Sequence, residues 1–440
     1  MESEICAKPY QNYIDGNGIN SGRVVLHSDM NNFFASVECM LKPELTAFPV
    51  AVCGSEEDRH GIVLAKNYKA KEYGIKTAEP VCSALKKCPR LVIAEPHYDL
   101  YMEYSHRARK IYSEYTDRVE PFGADEAWLE LTKCHGVKNL SDGLRIAEEI
   151  RGRIKRELGL TVSVGVSDNK AFAKLGSDYK KPDAVSVMSP ENYAERIMPL
   201  DISELIFAGP KTVARLSRFG LHTVADVVKS SRSFMRTLLG VGGERLWLSA
   251  SGYDDSPVSQ FGEFVPLKSL GNSFTPPRDL SSDEDVRIIL TMLADTVASR
   301  LRKHSLKASG ISLSVRSSEL RTSEKQCSLG KATDCTNTVF KEAYRLFSSS
   351  FSDMLQGGIR SMGIRCFALS PAGTGIQLSM FDTDRERLEK LSKIDRTVDA
   401  IRKRYGKHAL DSGVILRNPS LAGIKPCDET AMRSSFRLES

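Results

Sequence analysis

Hydrophobic and polar positions near the start of the chain change from a strand-like run to a helical repeat. Residues 23–28 form a short apolar run that predicts a buried strand ending at Asp29. Phe33, Val37 and Met40 follow it at helical spacing. Asp29 is therefore expected where a strand gives way to a helix, which suits either a helix cap or a polar site.

The same alternation continues to about residue 190. A strand is predicted at 127–131, directly after Asp125 and Glu126. An amphipathic helix follows over 147–158, and another strand over 161–166. The order strand, helix, strand, helix, strand predicts an α/β or α+β unit with carboxylates at strand ends.

Beyond residue 190, short helices with glycine-containing turns replace this pattern. Residues 254–266 are rich in Gly, Pro and acidic side chains and are predicted to link two domains. A third unit follows, with a helix over 283–304 and a basic strand over 310–316. A further helix is predicted over 384–405, and the chain contains no internal repeat.

The composition excludes several classes of protein. Of the 440 residues, 41% are hydrophobic and 27% are charged, as in globular chains that bury sizeable cores. No apolar run reaches the ~18 residues of a membrane-spanning helix, and the acidic start does not resemble a secretory signal. Ten scattered cysteines without a C-x-x-C pair favour reduced thiols and a cytoplasmic location.

The positive charge is concentrated in one stretch of the chain. The whole sequence has a formal net charge of +6. Residues 300–331 contain eight Lys and Arg against two acidic residues, Glu319 and Glu324. The net charge of this window, 8 − 2 = +6, equals that of the whole chain. On charge alone, a phosphate-binding surface and an ordinary solvated face are about equally good interpretations.

Three carboxylates at strand ends are the strongest chemical feature of the sequence: Asp29, Asp125 and Glu126. Two divalent cations that act on a nucleotide need several oxygen ligands in a site that largely excludes water. Each acid by itself is better explained as a surface residue or a helix cap. The residues around them decide between the two interpretations.

Both carboxylate segments resemble signatures of the Y-family DNA polymerases. Residues 29–38 (DMNNFFASVE) are similar to D-M-D-x-F-[FY]-A-x-V-E, and residues 122–132 (FGADEAWLELT) are similar to S-I-D-E-A-[YW]-L-D-[VL]-T. Asp125 lies 96 residues after Asp29, which also fits. The bacterial DinB branch, whose members copy past damaged template bases, resembles the chain in particular.

The resemblance implies a multidomain α+β fold shaped like a right hand, with a palm sheet, small fingers, a helix-hairpin-helix thumb and an α/β little finger. The implied parts are the palm at 20–31 and 98–188, the fingers at 32–97, the thumb at 189–253, the linker at 254–266, the little finger at 267–372, and a clamp-binding motif, helix and disordered tail at 373–440.

The resemblance also implies roles for individual residues around a pair of Mg²⁺ ions. The catalytic and metal-binding set is Asp29, Asp125 and Glu126, with the backbone carbonyl of Met30 as a further metal ligand. The implied nucleotide-binding residues are Asn32, Phe33, Tyr68, Lys71 and Lys181. Phe34 would stack on the sugar and exclude a ribose 2′-hydroxyl, because a packed ring cannot yield the volume of an extra oxygen.

Four positions depart from the family pattern. Asn31 replaces a common second Asp, and Ala124 replaces the common Ile before the Asp-Glu pair. Lys71 replaces the usual Arg, so a bidentate phosphate grip becomes a point-charge contact. Leu64 is larger than the residue often found near the templating base. None of the four is one of the three catalytic acids.

Contacts to DNA and to a sliding clamp are implied further along the chain. The implied DNA-binding residues are Gly240 and Gly242 of a thumb hairpin and Arg300, Arg316 and Arg321 of the basic window. The segment QLSMF resembles the peptide that bacterial polymerases insert into the clamp (beta subunit). Its implied contacts are Gln377, Leu378, Met380 and Phe381.

The predicted function is template-directed DNA synthesis of the lesion-bypass type, with low fidelity, Mg²⁺ and no proofreading exonuclease. Its substrates would be primed template DNA and deoxynucleoside triphosphates, and the protein is expected to be a cytoplasmic monomer without membrane contact. Two alternatives stay open from the residues. One is a catalytically silent DNA- or clamp-binding factor, and the other is a nucleotide cyclase, whose palm also uses paired carboxylates.

Overall fold

The computed structural model describes residues 22–54, 61–263, 266–374, 385–406, 409–418 and 421. They form two compact units. The first contains residues 22–53 and 62–263, and the second consists mainly of the described residues from 266 onwards. The predicted clamp peptide at 377–381 lies outside the described residues, as do residues 422–440 of the predicted tail.

The first unit contains two sheets and most of the helices. Its strands are β1 (Val25–Met30), β2 (Val50–Cys53), β3 (Val63–Lys66), β4 (Val92–Ala94), β5 (Val119–Pro121), β6 (Glu126–Glu130), β7 (Val162–Ser167) and β8 (Val185–Val187). Its α-helices are α1 (Phe33–Leu41), α2 (Tyr68–Glu72), α3 (Val81–Lys87), α4 (Tyr98–Ser113), α5 (Leu140–Leu158), α6 (Lys170–Tyr179), α7 (Tyr193–Arg196), α8 (Pro210–Ser217), α9 (Val224–Lys229), α10 (Arg232–Leu239) and α11 (Val241–Ala250). Short 3₁₀ turns occupy Pro43–Ala47, Pro190–Asn192 and Ile202–Glu204.

The larger sheet has five strands in the order β5-β6-β1-β7-β8. Neighbouring strands run antiparallel except for β7 and β8, which are parallel. All six residues of β1 are buried, as expected for a central strand covered on both faces. This sheet carries the predicted carboxylates.

Side chains of β1 alternate between two helical layers. The Ser28 hydroxyl lies 2.9 Å from that of Tyr112 on α4, whereas His27 Nδ1 lies 2.8 Å from Ser177 Oγ on α6. α4 and α6 therefore cover opposite faces of the sheet. At Gly165 on β7 a Cβ would lie 1.8 Å from a backbone oxygen of α6, so only glycine permits this close approach.

The smaller sheet has the order β3-β2-β4 and forms a separate lobe with α2 and α3. Its buried core consists of Ala51, Cys53, Val63, Ala70, Ile75, Val81, Ala84, Cys88 and Leu91. Asn67 caps α2 by accepting a hydrogen bond from the Ala70 N–H and also accepts from the Val50 N–H at 3.0 Å. The cap thus fixes α2 relative to β2.

The helices from α7 to α11 pack in an apolar cluster around Met235, Leu246 and Trp247, which also includes Phe172 and Leu175 of α6. The Trp247 indole donates to the Ser230 carbonyl at 2.9 Å. Gly240 has φ +69° and joins α10 directly to α11, a backbone conformation that favours glycine.

The stretch predicted as an interdomain linker is folded onto the larger sheet over residues 254–263. Arg23 donates to the backbone carbonyls of Asp254 and Ser256 at 3.0 and 2.7 Å. Val258 is fully buried in a cluster that includes Val25 and Trp128. These residues belong to the first unit.

The second unit is a sheet covered by helices. Its elements are β9 (Ser269–Phe274), α12 (Asp283–Lys303), β10 (Leu306–Ser317), β11 (Thr322–Thr333), α13 (Thr336–Ser350), β12 (Ile359–Pro371) and α14 (Arg385–Tyr405), with 3₁₀ turns at Ser352–Gly357 and Ile415–Arg417. The sheet order is β11-β10-β12-β9, and all its pairs are antiparallel. The largely buried Arg302 side chain pairs with Asp399 at 2.6 Å and with Asp395 at 3.3 Å, so α14 is anchored to α12.

The hydrophobic pattern predicted the main elements correctly. The strand expected at 127–131 is β6 (Glu126–Glu130), and the helices expected at 283–304 and 384–405 are α12 and α14. The α+β class is confirmed by the mixture of sheets and helices. Across the described ranges, no helix combines the length and the apolar character that a membrane span requires.

Candidate active site

The three predicted carboxylates meet at one end of the larger sheet. Asp29 on β1 pairs in register with Glu126 on β6, so both side chains lie on the face covered by α6. Asp125 directly precedes Glu126, and its carbonyl accepts a hydrogen bond from the Met30 N–H at 3.0 Å. Residues nearly one hundred positions apart are therefore neighbours on adjacent strands.

The site concentrates negative charge in a poorly solvated place. Burial raises the pKa of Asp29 to about 7, and the nearby charges of Glu126 and Asp125 add to the rise. Burial and the charge of Glu126 likewise raise the pKa of Asp125 to about 6. Since Asp29 and Asp125 both resist ionisation beside Glu126, a cation bound here would be stabilised.

Glu126 behaves differently because Lys174 and His27 face it. Burial alone would raise its pKa, but His27 and Lys174 outweigh that effect and lower the pKa to about 2. Lys174 Nζ lies 2.7 Å from Glu126 Oε2, and His27 Nε2 lies 3.3 Å from the same oxygen. Burial lowers the pKa of His27, which favours the neutral imidazole.

Lysines hold the carboxylates in the structure. Lys181 Nζ lies 2.7 Å from Asp29 Oδ2 and 2.7 Å from Asp178 Oδ1. Lys174 lies 3.9 Å from Asp178, so this acid connects the two lysines. Sequence reasoning missed Lys174, Asp178 and His27, although Lys174 lies in the NKAFAKL segment and its helical spacing from Asp178 was visible.

The carboxylates fit a hard divalent cation by their chemistry, since Mg²⁺ prefers oxygen ligands. Within the described parts of the chain, no three His, Cys, Asp or Glu side chains are already arranged around one metal position. Lys181 contacts one oxygen of Asp29, and Lys174 contacts one oxygen of Glu126. A metal ion that takes Asp29 Oδ2 or Glu126 Oε2 as a ligand would displace the lysine that now contacts that oxygen.

Phe34 lies on α1 beside this site and is largely buried. Its ring stacks on that of Tyr101, with centroids 4.2 Å apart and 12° between the planes. Tyr101 in turn hydrogen bonds to the buried carboxylate of Glu38. The stack holds the Phe34 ring in one place, as exclusion of a sugar hydroxyl would need. Sequence reasoning did not identify Tyr101.

Tyr68 and Lys71, predicted to bind the triphosphate, lie together on α2. Lys71 Nζ lies 5.9 Å from the centre of the Tyr68 ring. The Tyr68 hydroxyl lies 3.5 Å from Asn31 Oδ1. Burial raises the pKa of Tyr68, which is also influenced by the charges of Lys181 and Asp29. The structure thus brings Lys181 into contact with Asp29, sets Tyr68 near that pair, and puts Lys71 beside the Tyr68 ring.

The other two predicted nucleotide-binding residues are Asn32 and Phe33. Asn32 has φ +50°, in the left-handed region that Asn tolerates, and precedes α1. Phe33 is 2% exposed and packs beside Phe34 and Tyr101. The Phe33 side chain therefore belongs to the core, and its contribution to a nucleotide site would have to come from the backbone.

The departure at Asn31 has a clear structural setting. Its side chain is buried, accepts a hydrogen bond from Ser163 Oγ at 2.9 Å and donates to Thr161 Oγ1 at 3.2 Å. An amide satisfies both hydroxyls without adding charge beside Asp29. Ala124 and Leu64 have no contact that explains their departures.

The predicted DNA contacts are distributed over both units. In the first unit, Gly240 and Gly242 lie at the junction of α10 and α11, where a Cβ at either position would meet no atom within 4 Å. In the second unit, Arg316 and Arg321 are exposed near the turn between β10 and β11. Arg300 lies on α12 and donates to the Gly271 carbonyl at 3.2 Å.

Comparisons with known proteins show the family that the chain resembles. Residues 28–178 match the impB/mucB/samB family, and residues 267–380 match the C-terminal domain of that family. A protein of Acetivibrio thermocellus named DNA polymerase IV is 46% identical over 399 residues, which cover 91% of this chain and 99% of that protein. DNA polymerase IV 1 of Bacillus subtilis is 32% identical over 396 residues, which cover 90% of this chain and 94% of that protein.

A solved structure supports the fold. A Y-family DNA polymerase chimera of Dbh and Dpo4 superposes with a TM-score of 0.70, covering 79% of this chain and 99% of the chimera. The sequence identity in that comparison is 22%, so it speaks for the fold alone.

Proposed function

The chain belongs to the impB/mucB/samB family of Y-family DNA polymerases, and on that basis we propose how its own residues carry out DNA synthesis. It is a DNA-directed DNA polymerase of the translesion type, which acts on DNA and nucleotides, and it depends on a metal. Low fidelity and a role in DNA repair fit the family. The pairing of Asp29 with Glu126, with Asp125 beside them, is the observation that carries the assignment of the catalytic residues.

Asp29, Asp125 and Glu126, with the Met30 carbonyl, would hold two Mg²⁺ ions. When bound, these ions would lower the pKa of the primer 3′-hydroxyl and offset charge on the leaving pyrophosphate. In the reaction the primer 3′-hydroxyl gives up its proton to water and its oxygen bonds to the α-phosphorus. The bond between the α-phosphorus and the oxygen that bridges to the β-phosphate breaks, and pyrophosphate leaves. The protein residues orient the two reactants so that this displacement occurs in line.

We propose that Lys181 and Tyr68 receive the triphosphate. Lys181 is paired with Asp29, and we expect it to exchange this carboxylate for phosphate oxygens when nucleotide binds. Lys71 would add a second positive charge from α2. Phe34, held by Tyr101, would press against the sugar and exclude a 2′-hydroxyl.

Primer extension tests the proposed catalytic residues. The wild type with Mg²⁺ should extend a primer on undamaged and abasic templates, and Asp125→Asn should lose extension while still binding DNA. Full extension by Asp125→Asn would refute the assignment. Pyrophosphate release from ATP without DNA would instead favour a cyclase, and tight DNA binding without turnover under any divalent ion would favour a silent binding factor.

We propose in addition that residues 377–381 bind a sliding clamp and that the protein is a cytoplasmic monomer. The support for the clamp is the QLSMF sequence, with Leu378 and Phe381 suited to an apolar pocket. Deleting 377–381 should preserve distributive synthesis and abolish stimulation by the clamp. Equal clamp binding by the deletion variant would contradict the proposal.

A further inference from the structure

Arg109 on α4 is a charged side chain that is only 1% exposed. Burial opposes its charge and lowers its pKa. Its Nη1 is buried and has no hydrogen-bond partner. A buried cation with an N–H group that lacks a hydrogen-bond partner destabilises the folded state. The position of Arg109 is therefore expected to serve a purpose other than stability.

Arg109 helps to hold the loop that carries the catalytic pair. Its Nη2 donates to the Gly123 carbonyl at 3.0 Å, and Ser105 Oγ donates to the Ala124 carbonyl. The next carbonyl, that of Asp125, accepts from the Met30 N–H at 3.0 Å. Three consecutive carbonyls before Glu126 are therefore held by donors from outside the loop.

Two of the three donors come from one face of α4. Ser105 and Arg109 are four residues apart, so they lie one above the other on the helix. Both side chains are buried. α4 thus presents a pair of donors to the loop, whereas the third donor comes from β1.

The conformation of this loop controls where the Asp125 carboxylate lies. Gly123 has φ +104°, and Asp125 Oδ1 lies 3.5 Å from the place that a Cβ at 123 would occupy. The positive charge of Arg109 also attracts Asp125. A small rotation at 123 or 124 would carry the carboxylate away from Asp29.

We propose that Arg109 and Ser105 are positioning residues, which fix the 123–125 backbone so that Asp125 and Glu126 can share metal ions with Asp29. The inference rests on the proposed catalytic role of these three acids. Neither positioning residue needs to contact the nucleotide or DNA.

The test compares Arg109→Met, which removes the charge and all the N–H donors of the side chain at similar length, with Arg107→Met. Arg107 is on the same helix, is 44% exposed and makes a 3.9 Å contact with Glu103, so it serves as a matched control. Primer extension is measured under single-turnover conditions while Mg²⁺ and deoxynucleotide concentrations are varied separately. DNA affinity is measured in parallel.

Arg109→Met should slow extension about 10- to 100-fold, as expected when a reacting group is displaced by about 1 Å. The Mg²⁺ concentration at half-maximal rate should rise, while DNA affinity and the nucleotide KM change less than about twofold. Arg109→Lys should recover part of the rate, because it restores the charge and one donor. Arg107→Met should match the wild type.

Ser105→Ala keeps the proposal testable if Arg109→Met does not fold, as judged by circular dichroism. It removes one hydrogen bond and should slow extension about fivefold with the same rise in Mg²⁺ requirement. A slower rate with an unchanged Mg²⁺ requirement would overturn the proposal, because a smaller folded fraction gives that result. A fully active Asp125→Asn would refute the proposed function itself, whatever Arg109→Met does.

Discussion

The aromatic rings of Phe34 and Tyr101 are stacked, with their centroids 4.2 Å apart and an angle of 12° between their planes. The Tyr101 hydroxyl donates a hydrogen bond to the Glu38 carboxylate. His97 Nδ1 lies 2.9 Å from the same carboxylate. Burial and that hydrogen bond raise the pKa of Tyr101, so it stays a neutral donor. The ring of Phe34 therefore rests on a support that is itself fixed to α1.

Phe34→Ala should admit ribonucleotides, because it removes the ring that the stack holds in place. The measurement is single-nucleotide incorporation of UTP against dTTP opposite adenine, and the ratio should rise at least tenfold. Tyr101→Phe is the matched control, since it keeps the stacked ring and loses only the hydroxyl. Unchanged sugar selection in Phe34→Ala would remove the proposed role.

Asp125→Asn should stabilise the metal-free protein at high pH. The folded-state pKa of Asp125, about 6, lies above the ordinary 3.8, so the folded protein holds a proton that the unfolded chain releases. Stability is therefore lost as the pH rises from about 4 through about 6. Above this range, the substitution should raise the free energy of unfolding by roughly 3 kcal/mol.

Urea unfolding in EDTA at pH 8 and pH 4 measures this effect of Asp125→Asn. The variant should have a higher free energy of unfolding than the wild type at pH 8 and nearly the same value at pH 4. Mg²⁺ should narrow the difference at pH 8, because it stabilises only the wild type through this carboxylate. An advantage of equal size at both pH values would contradict the assigned cause.

Lys181→Ala should weaken nucleotide binding and leave DNA binding intact. The lysine lies 2.7 Å from both Asp29 and Asp178 and is expected to transfer to the triphosphate. We expect the deoxynucleotide KM to rise about tenfold, the effect of one charge-assisted contact. The neighbouring exposed Lys180→Ala is the control. A change confined to DNA affinity would assign Lys181 to the duplex instead.

Asn31→Asp, which restores the common family residue, should destabilise the metal-free protein. Asn31 is buried next to Asp29, and a further carboxylate there adds like charge without a cation. Thermal unfolding in EDTA at pH 8 should shift down by a few degrees. Asn31→Ser, which adds no charge, is the control, and an equal loss in both variants would show that packing and not charge is responsible.

Much of the fold could be predicted from local pattern. The helical repeat after Asp29 and the apolar runs at β1, β6 and β7 are visible in the sequence because side chains alternate with the period of the element. The α12 and α14 helices were predicted within a residue or two of their ends. The docking of residues 254–263 was not, because its buried contacts come from residues far away in the chain.

The residue types and motifs by themselves determined which acids to consider, the family to which they point and the strand ends where they lie. Only the tertiary structure decided that Asp29 faces Glu126, that Lys181 and Lys174 hold these carboxylates, and that Arg109 is buried behind the loop. The physical reason is the separation along the chain of the residues that make each contact. Periodicity reports which face of an element is buried, whereas strand order and charge pairing depend on contacts between distant segments.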